Sequence, residues 1–398
     1  MDTSLIPADQ HFAVMAALFA IAFFGFWAEK QNWGKLVTGT VWAILAAIIA
    51  SNLNIIPKSA DAYSFVFRYL VPALIPLFLI NANVKRIIME SGRVGIGFIL
   101  ACIGSAAGAI VGISLLDLGA READLAGIFT ATYTGGSVNY AAVIQSTGFD
   151  DANIISAATA VDNLMSALFL AVLAIMPASK WLMSKYAVRN HELEETQPYA
   201  QSSQQVTGFS LAAALTFALA VVALSDATVM LLESWLPDYE ISRLRYVFIT
   251  LFSILPATIA PQAMHKLQGG ETIGIVLAFV FFAAIAAGAD VAKLVSVAPI
   301  LLAFVVILLL IHAVIVFGLG ALISHLSKKL SGKEDNLFRL SLPELIIASN
   351  ASILGATTAP ALAMARGWPA LATPGILAGV AGYIVGTPLG LLVASLAG

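Results

Sequence analysis

Two polar runs interrupt an otherwise apolar chain. "FTATYTGGSVNYAAVIQ" spans Phe129 to Gln145 and groups Thr132, Tyr133, Thr134, Gly135, Gly136, Ser137 and Asn139. "ASNASILGATTAPALA" supplies Asn350, Ser352, Gly355, Thr357 and Thr358. Hydroxyls, amides and glycine-opened backbone hold small solutes through neutral oxygens and N–H groups. With no lysine or arginine inside either run, a compact anion would be held by backbone amides and hydroxyls rather than by an ion pair. These residues form the expected substrate site. The alternative is close helix packing, which also uses Gly, Ser and Thr.

One carboxylate stands near them. Asp162, in "AATAVDNLMSALFLAV", is followed by Asn163 and flanked by Ala160, Val161, Leu164 and Met165. An ionisable group inside an apolar span is costly and is a functional candidate. A carboxylate can ligate sodium or carry a proton, so Asp162 and Asn163 are expected to couple a cation, with sodium the one candidate metal, at Asp162. Asn81 and Asp290 join this set because they close two corresponding apolar runs, although capping at an interface would explain them as well. Asn83 stands beside Asn81 in the first of these runs. His312, in "LLLIHAVIV", reads as a neutral histidine bonded to a neighbouring helix. Glu122, Glu271 and Glu344 each begin a run, which is ordinary helix N-terminal chemistry. "GGS" lacks the P-loop lysine spacing and no hydrolytic motif is present, so neither an enzyme nor an organic cofactor is expected.

These residues must be positioned by membrane helices. Of the 398 residues 60% are hydrophobic and 11% charged, with mean hydropathy +0.93, against about 25% charged in a soluble domain. The net charge of −3 gives no reason to expect nucleic acid. Cys102 is the single cysteine, which excludes an internal disulfide and a cysteine metal cluster. "MDTSLIPADQH" has no basic n-region, so no cleavable signal is expected.

At about 20 residues per span, hydropathy predicts an all-α polytopic membrane protein of about twelve spans. They fall near 11–28, 35–51, 64–82, 93–116, 122–147, 153–177, 207–226, 245–261, 271–289, 298–323, 342–365 and 373–396. The polar "SKYAVRNHELEETQPYAQSSQQ" divides an N-terminal repeat, 1–183, from a C-terminal one, 207–398, by a linker over 184–206. "LINANVKRI" matches "AAGADVAKL", setting Asn83 against Asp290. "YTGGSVNYAAVIQSTGF" matches "SILGATTAPALAMARGW" without a gap, setting Gly136 on Gly355. Two matches in the same order predict a duplication, and glycine-broken helices at matched positions point to a transporter site.

Lysine and arginine mark cytoplasmic loops. They gather in "NVKRIIMESGR" after the third span and in "SHLSKKLSGKEDNLFR" after the tenth. If both are cytoplasmic the repeats are inverted, whereas six crossings per repeat would leave them parallel. The inverted arrangement is expected, so either one crossing is missed or overcounted, near 227–245 or the linker, or one charge cluster misleads; the count is about twelve, uncertain by one.

"TYTGGSVNYAAV", "AVDNL", "ASNASILGATTAPALAMARGW" and "PGILAGVAGYIVGTPLG" resemble the YjcL-type membrane proteins, a domain of unknown function, along nearly the whole chain. That family is grouped with the cation:proton antiporter and anion transporter superfamily. The resemblance implies inverted repeats, a core of two crossed broken helices, a panel domain that often dimerises, and elevator-type movement. It sets Thr132 to Asn139 and Asn350 to Gly355 as the crossing segments, and Asp162-Asn163 at the position of an antiporter carboxylate pair. Leu354-Gly355, in place of two glycines, is a departure.

The expected function is secondary active transport of a small organic anion or similar metabolite, coupled to sodium or protons. The protein is expected as a homodimer in the cytoplasmic membrane, with the lipid bilayer and the solute as its other partners. A cation/proton antiporter without organic substrate, or a non-transporting holin-like or regulatory membrane protein, are the alternatives.

Overall fold

The structure is a computed structural model that describes residues 4–32, 39–191, 205–236, 241–289, 291–331 and 336–398. Asp290 and residues 192–204 of the expected linker lie outside the described residues. Among the described residues every regular element is helical.

Eight helices are long and apolar enough to cross a membrane: α1 (His11–Lys30), α3 (Asp61–Leu79), α4 (Gly92–Leu115), α7 (Ala152–Ala178), α8 (Gly208–Trp235), α10 (Gly270–Ala287), α11 (Val295–Leu330) and α14 (Pro369–Ala397). Shorter apolar helices are α2 (Gly39–Asn52), α9 (Arg245–Ile259) and α12 (Leu342–Leu354). α5 (Glu122–Gly135), α6 (Ser137–Thr147) and α13 (Thr358–Ala365) complete the frame. Local chemistry sets several ends. Asp151 caps α7 through the Asn153 and Ile154 amides. Ser341 and Glu344 form a reciprocal capping box at α12, with Pro343 in its first turn, where a missing N–H costs no helix bond.

The two glycine-broken stretches fold back on themselves, which corrects the expectation of two crossed spans. At the start of α5 the Arg121 guanidinium donates to the Thr147 carbonyl at 2.9 Å and lies over the Phe149 ring, just past the end of α6. The His191 ring bonds Ser341 Oγ at 3.0 Å, before α12, while the His191 carbonyl accepts from Ala370 N at 3.2 Å, beyond α13. Both ends of each stretch therefore lie together. α5–α6 and α12–α13 are helical hairpins. Hydropathy counts each as a crossing because it measures apolar length and not the direction of the chain.

α14 is the spine between them, and close backbone approach records the order of contact. A Cβ on Gly375 would meet Ile347 and Ala359 of the second hairpin, and one on Gly379 would lie 2.4 Å from Ala356 at its tip. One on Gly382 would lie 2.4 Å from the Thr134 carbonyl at the first tip, and one on Gly390 would meet Gly127, Ala131 and Val143 in its arms. The hairpins thus enter from opposite ends of α14. Their tips meet at its middle, three residues or about 4.5 Å apart along the axis. Elsewhere, Arg93 Nε donates to the Asn336 carbonyl at 3.2 Å, which brings the two basic loops to one face.

Candidate functional site

Each tip turns at a glycine, alone in the first and followed by Ala356 and Thr357 in the second. Gly136 has φ 75° and ψ −172°, and Gly355 has φ 90° and ψ −170°. Only glycine adopts this region without strain. Each glycine amide closes the last turn of its inward arm, Gly136 N–H to the Thr132 carbonyl at 2.7 Å and Gly355 N–H to Ala351 at 3.1 Å. The chain then reverses and a new helix begins. The first amides of α6 and α13 have no partner within their own helices, and each helix dipole adds partial positive charge there.

Gly136, Ser137, Gly355 and Thr357 line one cavity of about 170 Å³. The rest of its lining includes Thr40, Phe78, Glu271, Phe279 and Phe282, with Tyr383 of α14 beside the second tip. Those four tip residues are the members of the expected substrate set that reach the cavity. Sequence reasoning missed the rest of the lining. Glu271 reads as an ordinary helix start, and nothing local to it signals that α10 shares a cavity with both tips.

The remaining polar residues hold the tips together from behind. The Tyr133 carbonyl accepts from Ser105 Oγ at 2.9 Å and from Ser352 Oγ at 2.6 Å. His312, fully buried, bridges Ser105 Oγ at 3.1 Å through Nδ1 and Ser349 Oγ at 2.9 Å through Nε2. Ser105 commits its one proton to Tyr133, so it accepts from Nδ1–H, and the neutral ring accepts from Ser349 at Nε2. His312 is accordingly a bonded structural histidine, as its sequence context suggests.

The Asn139 carboxamide is wholly engaged. Its Nδ2 donates to Gly135 and Gly382 carbonyls at 2.9 and 3.1 Å, and its Oδ1 accepts from Thr387 N and Oγ1 at 3.0 and 2.7 Å. It locks the first tip to α14 just before Pro388, whose ring cannot donate to that helix. Thr358 Oγ1 donates to Asn350 Oδ1 at 2.8 Å across the second tip, leaving Asn350 Nδ2 buried without a partner. Thr134 and Gly135 are buried against Gly382.

Asp162 lies beside the first hairpin. Thr132 Oγ1 donates to its Oδ2 at 3.3 Å. The Tyr133 hydroxyl faces the same carboxylate, yet that hydroxyl and Asp162 Oδ1 are both buried outside hydrogen-bonding geometry. Among the described residues no ion pair includes Asp162. Asn163 Nδ2 donates to the Thr159 carbonyl of its own helix at 2.8 Å. Asn81 is not brought to the tips. It lines a separate small cavity with Arg86, Pro261 and His265, while Asn83 caps the short helix Val84–Glu90.

This arrangement offers two features: a cavity with amide and hydroxyl donors at one end, and a half-buried carboxylate with no ion-pair partner among the described residues. Comparison with known proteins adds the family. The chain is 30% identical over 407 residues to the "Uncharacterized membrane protein YjcL" of Bacillus subtilis (strain 168), covering 97% of each. A family described as "Protein of unknown function (DUF819)" matches residues 16–397. The chain belongs to that DUF819 membrane-protein family.

Proposed function

We propose that the protein is a secondary active transporter that moves a small organic anion or similar metabolite, coupled to sodium or protons. The observation that carries this reading is the meeting of two glycine-turned hairpins, from opposite ends of α14, at one cavity. Backbone turned inside a membrane is tolerated where it lines a cavity or binds a solute. Two helix N-termini suit the negative group of that solute.

In this reading each repeat, 1–183 and 207–398, has five crossings and one re-entrant hairpin. The ten crossings are the eight long helices with α2 and α9. An odd number of crossings inverts the second repeat and sets both basic loops on the cytoplasmic face, the parity that six crossings per repeat would deny. Tyr133 and Ser352, equivalent in the two runs, bond each other. Equivalent positions of two-fold-related halves touch beside the axis, so this contact supports a pseudo-two-fold axis through the tips. Movement of the hairpin core as a unit against α1, α2, α8 and α9 gives elevator-type alternating access, with a homodimer formed through those four helices in the cytoplasmic membrane.

Asp162 is the coupling group. A carboxylate with no basic partner inside a span requires a proton or a cation to neutralise it. That uncompensated charge also favours the second reading, a cation/proton antiporter without organic substrate. Proteoliposome uptake of radiolabelled carboxylates, with sodium and proton gradients imposed in turn, separates the two. Gradient-dependent solute accumulation supports the first. Sodium/proton exchange with no solute movement supports the second, and neither flux refutes transport.

A further inference from the structure

The tip cavity has a second pole that an anion alone does not explain. Glu271 lines it and is the single charged residue among its lining residues. Among the described residues the Glu271 carboxylate has neither an ion-pair nor a hydrogen-bond partner. The cavity walls carry four aromatic rings: Phe78 and Tyr383, edge to face at 5.6 Å, and Phe279 and Phe282, two and three turns beyond Glu271 on α10. A carboxylate among aromatic faces is a recognition environment for an ammonium group, which gains both charge pairing and cation–π attraction. A purely anionic solute would place like charge in the same 170 Å³ as Glu271. A purely cationic one would make no use of the tip amides or of the exposed Ser137 and Thr357 hydroxyls.

We propose that the cavity takes a small zwitterion, a molecule of the amino-acid class with its carboxylate at the hairpin tips and its ammonium group at Glu271. This inference rests on the transport site proposed above and specifies its substrate class. The aromatic walls between the poles accept the apolar body, and the cavity volume restricts it to a few heavy atoms.

The test uses the purified full-length chain in detergent at neutral pH, with binding read by calorimetry and by the shift in thermal unfolding. The probes are L-alanine, 4-aminobutyrate and glycylglycine, with propionate and butyrate as carboxylate-only analogues and ethylamine and butylamine as amine-only analogues. At least one zwitterion is expected to bind ten or more times tighter than both of its half-molecules. Glu271→Gln is expected to weaken that zwitterion roughly 10- to 100-fold while leaving carboxylate-only binding nearly unchanged. Glu271→Asp keeps the charge and should lose less, and it serves if the Gln variant does not fold. Carboxylates that bind as tightly as zwitterions, or zwitterion binding indifferent to both Glu271 variants, would overturn the zwitterion and leave an anion site standing. Binding by none of the probes would overturn the zwitterion, and the anion site at the tips would fall with it.

Discussion

Ser352 Oγ donates to the Tyr133 main-chain carbonyl at 2.6 Å, joining the arms of two hairpins that are 219 residues apart in the chain. The same carbonyl accepts from Ser105 on α4, so one oxygen ties three helices at the level of the tips. The tips are therefore held as one body.

Removing one of these donors should be tolerated and removing both should not. Ser352→Ala is expected to cost about 1 kcal/mol, because the carbonyl keeps its other donor, and Ser105→Ala about 1–3 kcal/mol, because it also removes the acceptor of the His312 Nδ1–H. The double variant leaves a buried carbonyl orphaned and should exceed the sum of the two by about 1 kcal/mol or more. Unfolding in detergent, analysed as a double-mutant cycle, measures this. Simple additivity would mean that water reaches the carbonyl.

Gly136→Ala and Gly355→Ala should each destabilise by about 1–3 kcal/mol, with similar magnitudes. The cause is conformational, since a Cβ at Gly136 meets nothing within 4 Å and one at Gly355 meets Tyr383 Oη at an ordinary 3.5 Å. Gly382→Ala differs in kind: its Cβ would lie 2.4 Å from the Thr134 carbonyl, so the spine would have to separate from the first tip. Expression and gel-filtration profiles should rank Gly382→Ala as the most damaging of the three.

Asp162→Asn should keep the protein folded and abolish cation-driven uptake. Thr132 can still donate to the amide oxygen, and loss of a charge inside an apolar span carries no stability penalty. Sodium-dependent stabilisation and proteoliposome uptake across a pH series are the measurements. Wild-type cation dependence in the variant would reduce Asp162 to a structural partner and move coupling to the neutral oxygens of the tips.

The segment Tyr186 to His191 should detach from the mouth of the second hairpin in acid. Burial, reinforced by the nearby Arg189 and Arg93 guanidinium groups, lowers the His191 pKa from 6.5 to about 4. The attached ring is neutral and bonds Ser341, whereas the detached ring takes up a proton first. Attachment is thus fully present above pH 6.5 and is lost as the pH falls towards 4. Hydrogen-exchange protection of the Ala187 amide, which bonds the Leu340 carbonyl, should fall over that window once the slower intrinsic exchange in acid is divided out. His191→Gln should flatten the dependence, and equal acid sensitivity in that variant would exclude the histidine as its cause.

Much of this protein is determined locally and was legible in the sequence. Apolar length makes the membrane helices, and Gly136 and Gly355 are the residues that can carry the tip conformation, so both breaks could be located from composition and spacing. Asp162 stood out because a carboxylate is costly among Val161, Leu164 and Met165. Tertiary structure decided what depends on direction and distance. The arms of α5–α6 are apolar whether the chain crosses or returns, and it is the contact of Arg121 with Thr147 that shows the return. Asn139 resembles a ligand in its polar run, but packing against α14 consumes all of its hydrogen-bonding capacity. Glu271 resembles a helix start, and becomes a cavity residue because α10 shares a cavity with tips that come from elements more than 80 residues away on one side and more than 130 on the other. Hydropathy and periodicity record what each residue prefers to touch; which residues it touches is set by the three-dimensional closure of hairpins onto a glycine-lined helix.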